Sequence, residues 1–207
     1  MQECTPRVVL LDFDGTVVDT MEWYADAASR IIEEVAGIPR EEARRLYLAT
    51  AGRPFREQLR LMGLRGEALE AAASRFEEEK RAMLRRVTLS PEVERFAARA
   101  REMGLQVFLS TNNECSVVSS NPQLTRVFDG VLCHDPETGM GKGEPHVKAL
   151  GAMLGVRRCE ILFIGDSDYD IELHAPLGVT PIRTRGLWRP GEAERLLEKI
   201  GELLDDP

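Results

Sequence analysis

Four short apolar runs constrain this chain of 207 residues more than any other feature. They are residues 7–12 (RVVLLD), 105–111 (LQVFLST), 127–133 (VFDGVLC) and 160–166 (EILFIGD). A strand with one wet face alternates apolar and polar side chains, whereas a near-continuous run is buried on both faces. That is the pattern of a parallel sheet covered by helices. A weaker fifth run spans Val179 to Arg183. Helical patterns separate the runs. One is opened by Ser90 as N-cap and Pro91 in the first turn and is ended by Gly104. A second runs from about Pro145 to Gly155 and a third from about Asp168 to Gly178. Strands alternating with helices predict a doubly wound, mostly parallel α/β sheet.

One stretch breaks the alternation. Met21 to Ala36 carries apolar residues at helical spacing and is closed by Gly37. Further helical patterns follow at residues 40–51, 54–62 and 66–86. This segment directly follows the first strand and is too long for an ordinary connection. The predicted organisation is an α/β core of residues 1–17 and 88–207, with an all-helical cap domain of residues 18–87 inserted into it.

A hydrophobic fraction of 43% suits a buried core, and no apolar run approaches the length of a membrane span. The N-terminal residues lack the pattern of a signal peptide. The net charge of −8 speaks against nonspecific nucleic-acid binding, which needs clustered positive charge. It leaves a phosphate substrate open, because a bound metal ion reverses the local sign. Cys4, Cys115, Cys133 and Cys159 form no CxxC pair and read as free thiols of a cytoplasmic protein, Cys115 as a small buried one. His134, His146 and His174 share no metal-ligand spacing, and Trp23 and Tyr24 read as packing residues.

Chemistry concentrates at the ends of the predicted strands, where open α/β sheets bind ligands. After the first comes Asp12-Phe13-Asp14-Gly15-Thr16. Alternate side chains of extended chain share a face, so both carboxylates can enter one site. Gly15 permits a tight turn that presents backbone N–H groups, and Thr16 adds a hydroxyl. After the second strand, Thr111 and Asn112 offer a hydroxyl and an amide to a phosphoryl oxygen, next to a helix N-terminus. Lys142, between two glycines before a helix, supplies a compact positive charge. After the fourth strand, Asp166 and Asp170 offer the oxygen ligands that suit Mg²⁺, while Asp168 is expected to cap the following helix.

The ordered set of DxDGT, a strand ending in Thr, a Lys and GDxxxD, with a helical insertion after the first motif, resembles the haloacid dehalogenase-like superfamily. The likeness is to members with a helical cap of the phosphoglycolate phosphatase and beta-phosphoglucomutase type, and it covers the whole chain. It implies a Mg²⁺-dependent phosphatase acting on a small phosphorylated metabolite. Asp12 would attack phosphorus and form an aspartyl-phosphate, and Asp14 would serve as general acid and base. Thr111 and Lys142 would hold the phosphoryl group. The metal would sit on Asp12, the Asp14 backbone carbonyl and Asp166, with Asp170 supporting a metal-bound water or orienting Lys142.

Two alternatives remain at this stage. Sugar-phosphate mutases share both aspartates but carry a G-x-x-R-x-x-x-L pattern in the cap. Here Gly52 to Leu59 reads GRPFREQL, which puts Phe55 at the arginine position. Arg53 and Arg56 flank it and are candidates for substrate contact or for a solvated helix start. A non-catalytic phosphate-binding or phospho-accepting regulatory protein is the other alternative, against which the complete set Asp12, Asp14, Lys142 and Asp166 speaks. A monomer is the default expectation, with a dimer open.

Overall fold

The computed structural model describes residues 4–135 and 137–205. Five parallel strands form one sheet in the order β3-β2-β1-β4-β5. They are β1 (Val8–Asp12), β2 (Gln106–Glu114), β3 (Gly130–His134), β4 (Ile161–Gly165) and β5 (Thr180–Arg183). Every residue of β1 and β4 is buried, as their apolar runs require. The chain builds outward from β1 to β3, then returns to add β4 on the other side of β1. The sheet is therefore doubly wound, and its switch point lies between β1 and β4, at whose carboxyl ends such sheets bind ligands.

The chain divides into two compact units, Met1–Asp19 with Val87–Pro207, and Thr20–Arg86. The second unit is all helical: α1 (Met21–Ala36), α2 (Arg40–Ala49), α3 (Phe55–Leu61) and α4 (Gly66–Leu84). Its core joins Ile31, Ile32 and Leu59 to an aromatic group of Tyr24, Tyr47, Phe55 and Phe76. Phe55 and Phe76 lie 4.1 Å apart between ring centroids.

The first unit carries α5 (Pro91–Glu102), α6 (Cys115–Val118), α7 (Pro122–Val127), α8 (Glu144–Leu154), α9 (Asp168–His174) and α10 (Glu192–Asp205). Ser90 caps α5 by accepting from the Val93 N–H, with Pro91 in the first turn. The structure departs from the sequence reading in several places. Val127 ends α7 rather than starting a strand, so β3 begins only at Gly130. The helix start expected after the second strand is the single turn of α6, while α7 and the terminal α10 carried no sequence expectation. Ser167, not Asp168, caps α9, while Asp168 is its first residue and pairs with Arg183.

The cysteines are not free thiols. Cys4 pairs with Cys159 and Cys115 with Cys133, with Cα separations of 5.8 and 5.0 Å. The first bond spans 155 residues of sequence, so no spacing rule could reveal it. Its geometry follows from the sheet: the Arg7 N–H donates to the Glu160 carbonyl at 2.8 Å, bringing the residues before β1 beside those before β4. Paired cysteines favour oxidising surroundings or a thermophile's interior, so the premise that free thiols mark a reducing compartment falls. No described helix is long and apolar enough to cross a membrane.

His146 is fully buried on α8 and ties two strands together. Its Nε2 lies 3.2 Å from the Cys133 carbonyl, and a carbonyl only accepts, so Nε2 carries the proton. Nδ1 then accepts from the Ser110 hydroxyl at 2.7 Å. Burial pulls its pKa down to about 4, against a smaller opposing effect of the Cys133 carbonyl.

Two measurements test these constraints. Thiol titration of the denatured, unreduced protein should find no free thiol, and reduction should release four. In the chain-entropy account, reducing the longer loop lowers stability by up to about 5 kcal/mol. An unfolded His146 takes up a proton near pH 6.5, whereas the folded one resists until about 4. Stability should therefore fall as pH drops through that window, by about 2 kcal/mol at pH 5. In urea unfolding, His146→Gln should show a shallower decline.

Candidate functional site

Two strand ends and two helix starts converge. Asp12 is the last residue of β1, beside Ser110 of β2, and its neighbour Leu11 pairs with Ile164 of β4. Asp166 directly follows β4, and Asp170 stands in the first turn of α9. Carboxylate oxygens of Asp12, Asp166 and Asp170 lie within 4.8 Å of one another. Lys142, two residues before α8, reaches into this group. Its Nζ donates to Asp12 Oδ1 at 2.6 Å and also pairs with Asp170 Oδ1. It lies 5.7 Å from the centroid of the Phe163 ring, and only 6% of its side chain is exposed.

Glycines make this crowding possible. At Gly15, with φ of 81°, a Cβ would sit 2.8 Å from the Asp166 carboxyl carbon. A side chain would therefore force the two motifs apart, besides being strained in the left-handed region. At Gly165 a Cβ would lie 2.8 Å from the Asp170 Cβ. The Asp12–Thr16 turn closes through the Gly15 N–H donating to the Val18 carbonyl at 2.8 Å.

The electrostatics follow from burial. Burial pushes the Asp12 carboxyl well above its usual range; Lys142 opposes this, while Asp170 and Asp166 add to it. Burial also raises Asp166, reinforced by Asp170. Asp170 resists its own burial because Lys142 and the Ser167 hydroxyl stabilise the charged form, so its pKa falls. For Lys142, burial disfavours the charge, yet Asp12 and Asp170 outweigh it and the pKa rises. Three carboxylates around one ammonium leave two negative charges unbalanced. An all-oxygen donor set with that excess fits a hard divalent cation. Among the described residues it is the one His/Cys/Asp/Glu cluster with this geometry.

The remaining expected residues distribute differently. The Thr16 hydroxyl is fully buried and lies 3.3 Å from Asp12 Oδ2 and 3.2 Å from Asp166 Oδ1, so it bridges two carboxylates. Thr111 is buried in the bulge of β2: that strand runs from Ser110 to Glu114 while β3 advances only from Leu132 to His134. Such bulges re-aim side chains. Asn112 Oδ1 accepts from the Lys142 backbone N–H at 3.2 Å, which anchors the lysine loop. Asp14 Oδ2 accepts from the side chain of Asn113 at 2.7 Å. Arg53 and Arg56 belong to the helical unit, where they are exposed and pair with Glu57 and Glu70.

Sequence reasoning passed over three residues. Asn113 was overlooked for Asn112, although strand alternation puts Asn113 on the same face as Thr111. Ser167 donates its hydroxyl to Asp170 Oδ2 at 2.6 Å and fixes that carboxylate. Glu192, fully buried, accepts from the Thr184 hydroxyl and the Arg185 N–H, each at 2.9 Å. It thereby shapes the loop after β5, whose Leu187 N–H donates to the Thr16 carbonyl at 2.7 Å. Arg195, three residues on in α10, also donates to Glu192 at 2.6 Å.

The charge imbalance has a testable sign. With a chelator present, Lys142→Met should lower unfolding stability by about 3–5 kcal/mol, because it strands Asp12 and Asp170. Asp166→Asn should instead raise it by removing a surplus like charge. Denaturant unfolding checks both; equal destabilisation by the two would contradict the imbalance.

No curated protein sequence matches the chain. Solved structures do. A protein described as a predicted phosphatase from Clostridium acetobutylicum superposes with a TM-score of 0.76 at 18% identity, covering 96% of this chain and 99% of that one. A predicted phosphoglycolate phosphatase from Haemophilus somnus gives 0.68 at 16%, covering 86% and 84%. CbbY from Rhodobacter sphaeroides, solved in complex with phosphate, gives 0.64 at 18%, covering 91% and 90%. At these identities the likeness shows the fold. The family model for haloacid dehalogenase-like hydrolases matches residues 6–175, and the chain belongs to that family.

Proposed function

We propose that this hydrolase is a Mg²⁺-dependent phosphatase that acts on a small phosphorylated metabolite through an aspartyl-phosphate on Asp12. The observation that carries this reading is the Asp12 carboxylate itself. It is buried at a strand end, in contact with Lys142, and part of an oxygen cluster with excess negative charge. A carboxylate can attack a phosphate dianion only where repulsion is offset, and Lys142 offsets part of it. Mg²⁺ held by Asp12, Asp166 and the Asp14 backbone carbonyl would supply the remaining charge neutralisation.

The chain's own residues then divide the work. An Asp12 oxygen forms a bond to phosphorus as the bond to the leaving oxygen breaks, and Asp14 gives that oxygen its proton. Asp14, now ionised, takes a proton from water as the water oxygen attacks the same phosphorus. Asp12 is released and inorganic phosphate leaves. Lys142 and the Thr111 hydroxyl hold the phosphoryl oxygens through both steps. Asp170, fixed by Ser167, keeps Lys142 pointed at Asp12. The helical unit would serve as the cap.

Phe55 favours hydrolysis over mutase chemistry. It stands where the mutase pattern has its arginine, and it is 7% exposed in an aromatic core that has no place for a guanidinium. The test is turnover of p-nitrophenyl phosphate. Wild type should release phosphate with Mg²⁺ and lose activity in excess chelator, and Asp12→Asn should lose at least about a thousandfold while keeping its fold. Metal-independent turnover, or near-normal activity of Asp12→Asn, would contradict the assignment.

A further inference from the structure

Asn113 joins two groups that the reaction uses separately. It is 3% exposed and lies in the bulged part of β2. Its side-chain nitrogen is 2.7 Å from Asp14 Oδ2 and 3.0 Å from Thr111 Oγ1. In its ionised form the Asp14 carboxylate only accepts, so the nitrogen of the amide faces it. Its two hydrogens are then both assigned, one to Asp14 and one to Thr111. The Asn113 backbone N–H also donates to Thr111 Oγ1, at 3.1 Å. A threonine hydroxyl has two acceptor lone pairs and one hydrogen. With both lone pairs filled by Asn113, the hydroxyl can act outward only as a donor, which is the role a phosphoryl oxygen requires.

We propose that Asn113 is the positioning residue that holds the Asp14 carboxylate at the leaving-group side and commits Thr111 to donation toward the phosphoryl group. This rests on the phosphatase reading above. Asp14 is half-buried on a turn, and a carboxylate there without a fixed partner samples several side-chain rotamers. The amide removes that freedom. Because the same nitrogen touches Thr111, the acid and the phosphoryl donor are set at a fixed mutual distance, as transfer of a proton to the leaving oxygen demands.

The test is the dependence of kcat/KM on the leaving group. A phenolate such as p-nitrophenolate departs without much protonation, whereas an alkoxide needs the acid. Wild type, Asn113→Ala, Asn113→Ser, Asp14→Asn and the double variant Asp14→Asn/Asn113→Ala are assayed with Mg²⁺ on p-nitrophenyl phosphate and on a simple alkyl phosphate. Asn113→Ala should lose about tenfold to a hundredfold more on the alkyl ester than on the aryl ester. The ratio of the two rates cancels any difference in the folded fraction. Asn113→Ser, which keeps a small donor, should recover part of the alkyl activity. In the Asp14→Asn background, Asn113→Ala should cost the alkyl ester no more than it costs the aryl ester, because only its hold on Thr111 is left to lose. Equal losses on the two esters in Asn113→Ala, or an alkyl-selective loss that persists in the Asp14→Asn background, would overturn the assignment while leaving the phosphatase reading intact. Absence of wild-type turnover on either ester would overturn both.

Discussion

The Lys142 ammonium, buried between Asp12 and Asp170, is the contact around which the site is organised. A charge withdrawn from water is costly unless it is paired, and here one cation faces three carboxylates. The sheet sets up this imbalance by ending β1 and β4 side by side, each delivering an aspartate to the same crevice. Lys142 offsets one negative charge and leaves the rest for a divalent ion. A phosphate substrate would add further negative charge to the crevice. The site is therefore poorly balanced by itself, and a divalent cation would restore the balance.

The surrounding backbone keeps that arrangement from relaxing. Gly15 and Gly165 let the aspartate motifs approach closer than any side chain would allow. The bulge in β2 turns Thr111 and Asn113 into the crevice, and the Cys115–Cys133 bond closes the far end of that bulge. The loop after β5, shaped by the buried Glu192, holds the Thr16 carbonyl through Leu187. The two aspartates of the first motif meet different partners. Asp12 faces an ammonium and Asp14 faces a neutral amide. That difference suits one to act as a nucleophile and the other to exchange a proton.

Much of this was legible in the sequence, for physical reasons. A strand buried on both faces must be almost wholly apolar, so β1 and β4 announced themselves and the acids that end them stood out. Helical periodicity and Gly37 outlined α1 equally well. The weak points were residues whose role depends on distant partners. β3 was placed too early because Val127 and Phe128 are as apolar as a strand, although they finish α7. The cysteines read as free because their partners are adjacent only after folding. The Thr16 hydroxyl bridges Asp12 and Asp166, a contact between two motifs 150 residues apart that no local spacing announces. Asn112 was preferred to Asn113, although the period-2 geometry of a strand favours the latter. Phe55 was flagged as a departure from a mutase pattern, and its burial supplies the physical reason.

The central claim is that Asp12 becomes covalently phosphorylated. Rapid acid quench of the Mg²⁺-loaded enzyme during turnover of p-nitrophenyl phosphate, followed by peptide mass spectrometry, tests it directly. The account predicts a single phosphoryl group on the peptide that contains Asp12, formed and consumed at rates that sustain turnover, and absent in Asp12→Asn. Phosphate release with no phosphorylated peptide at any quench time, or with the label on another residue, would contradict it.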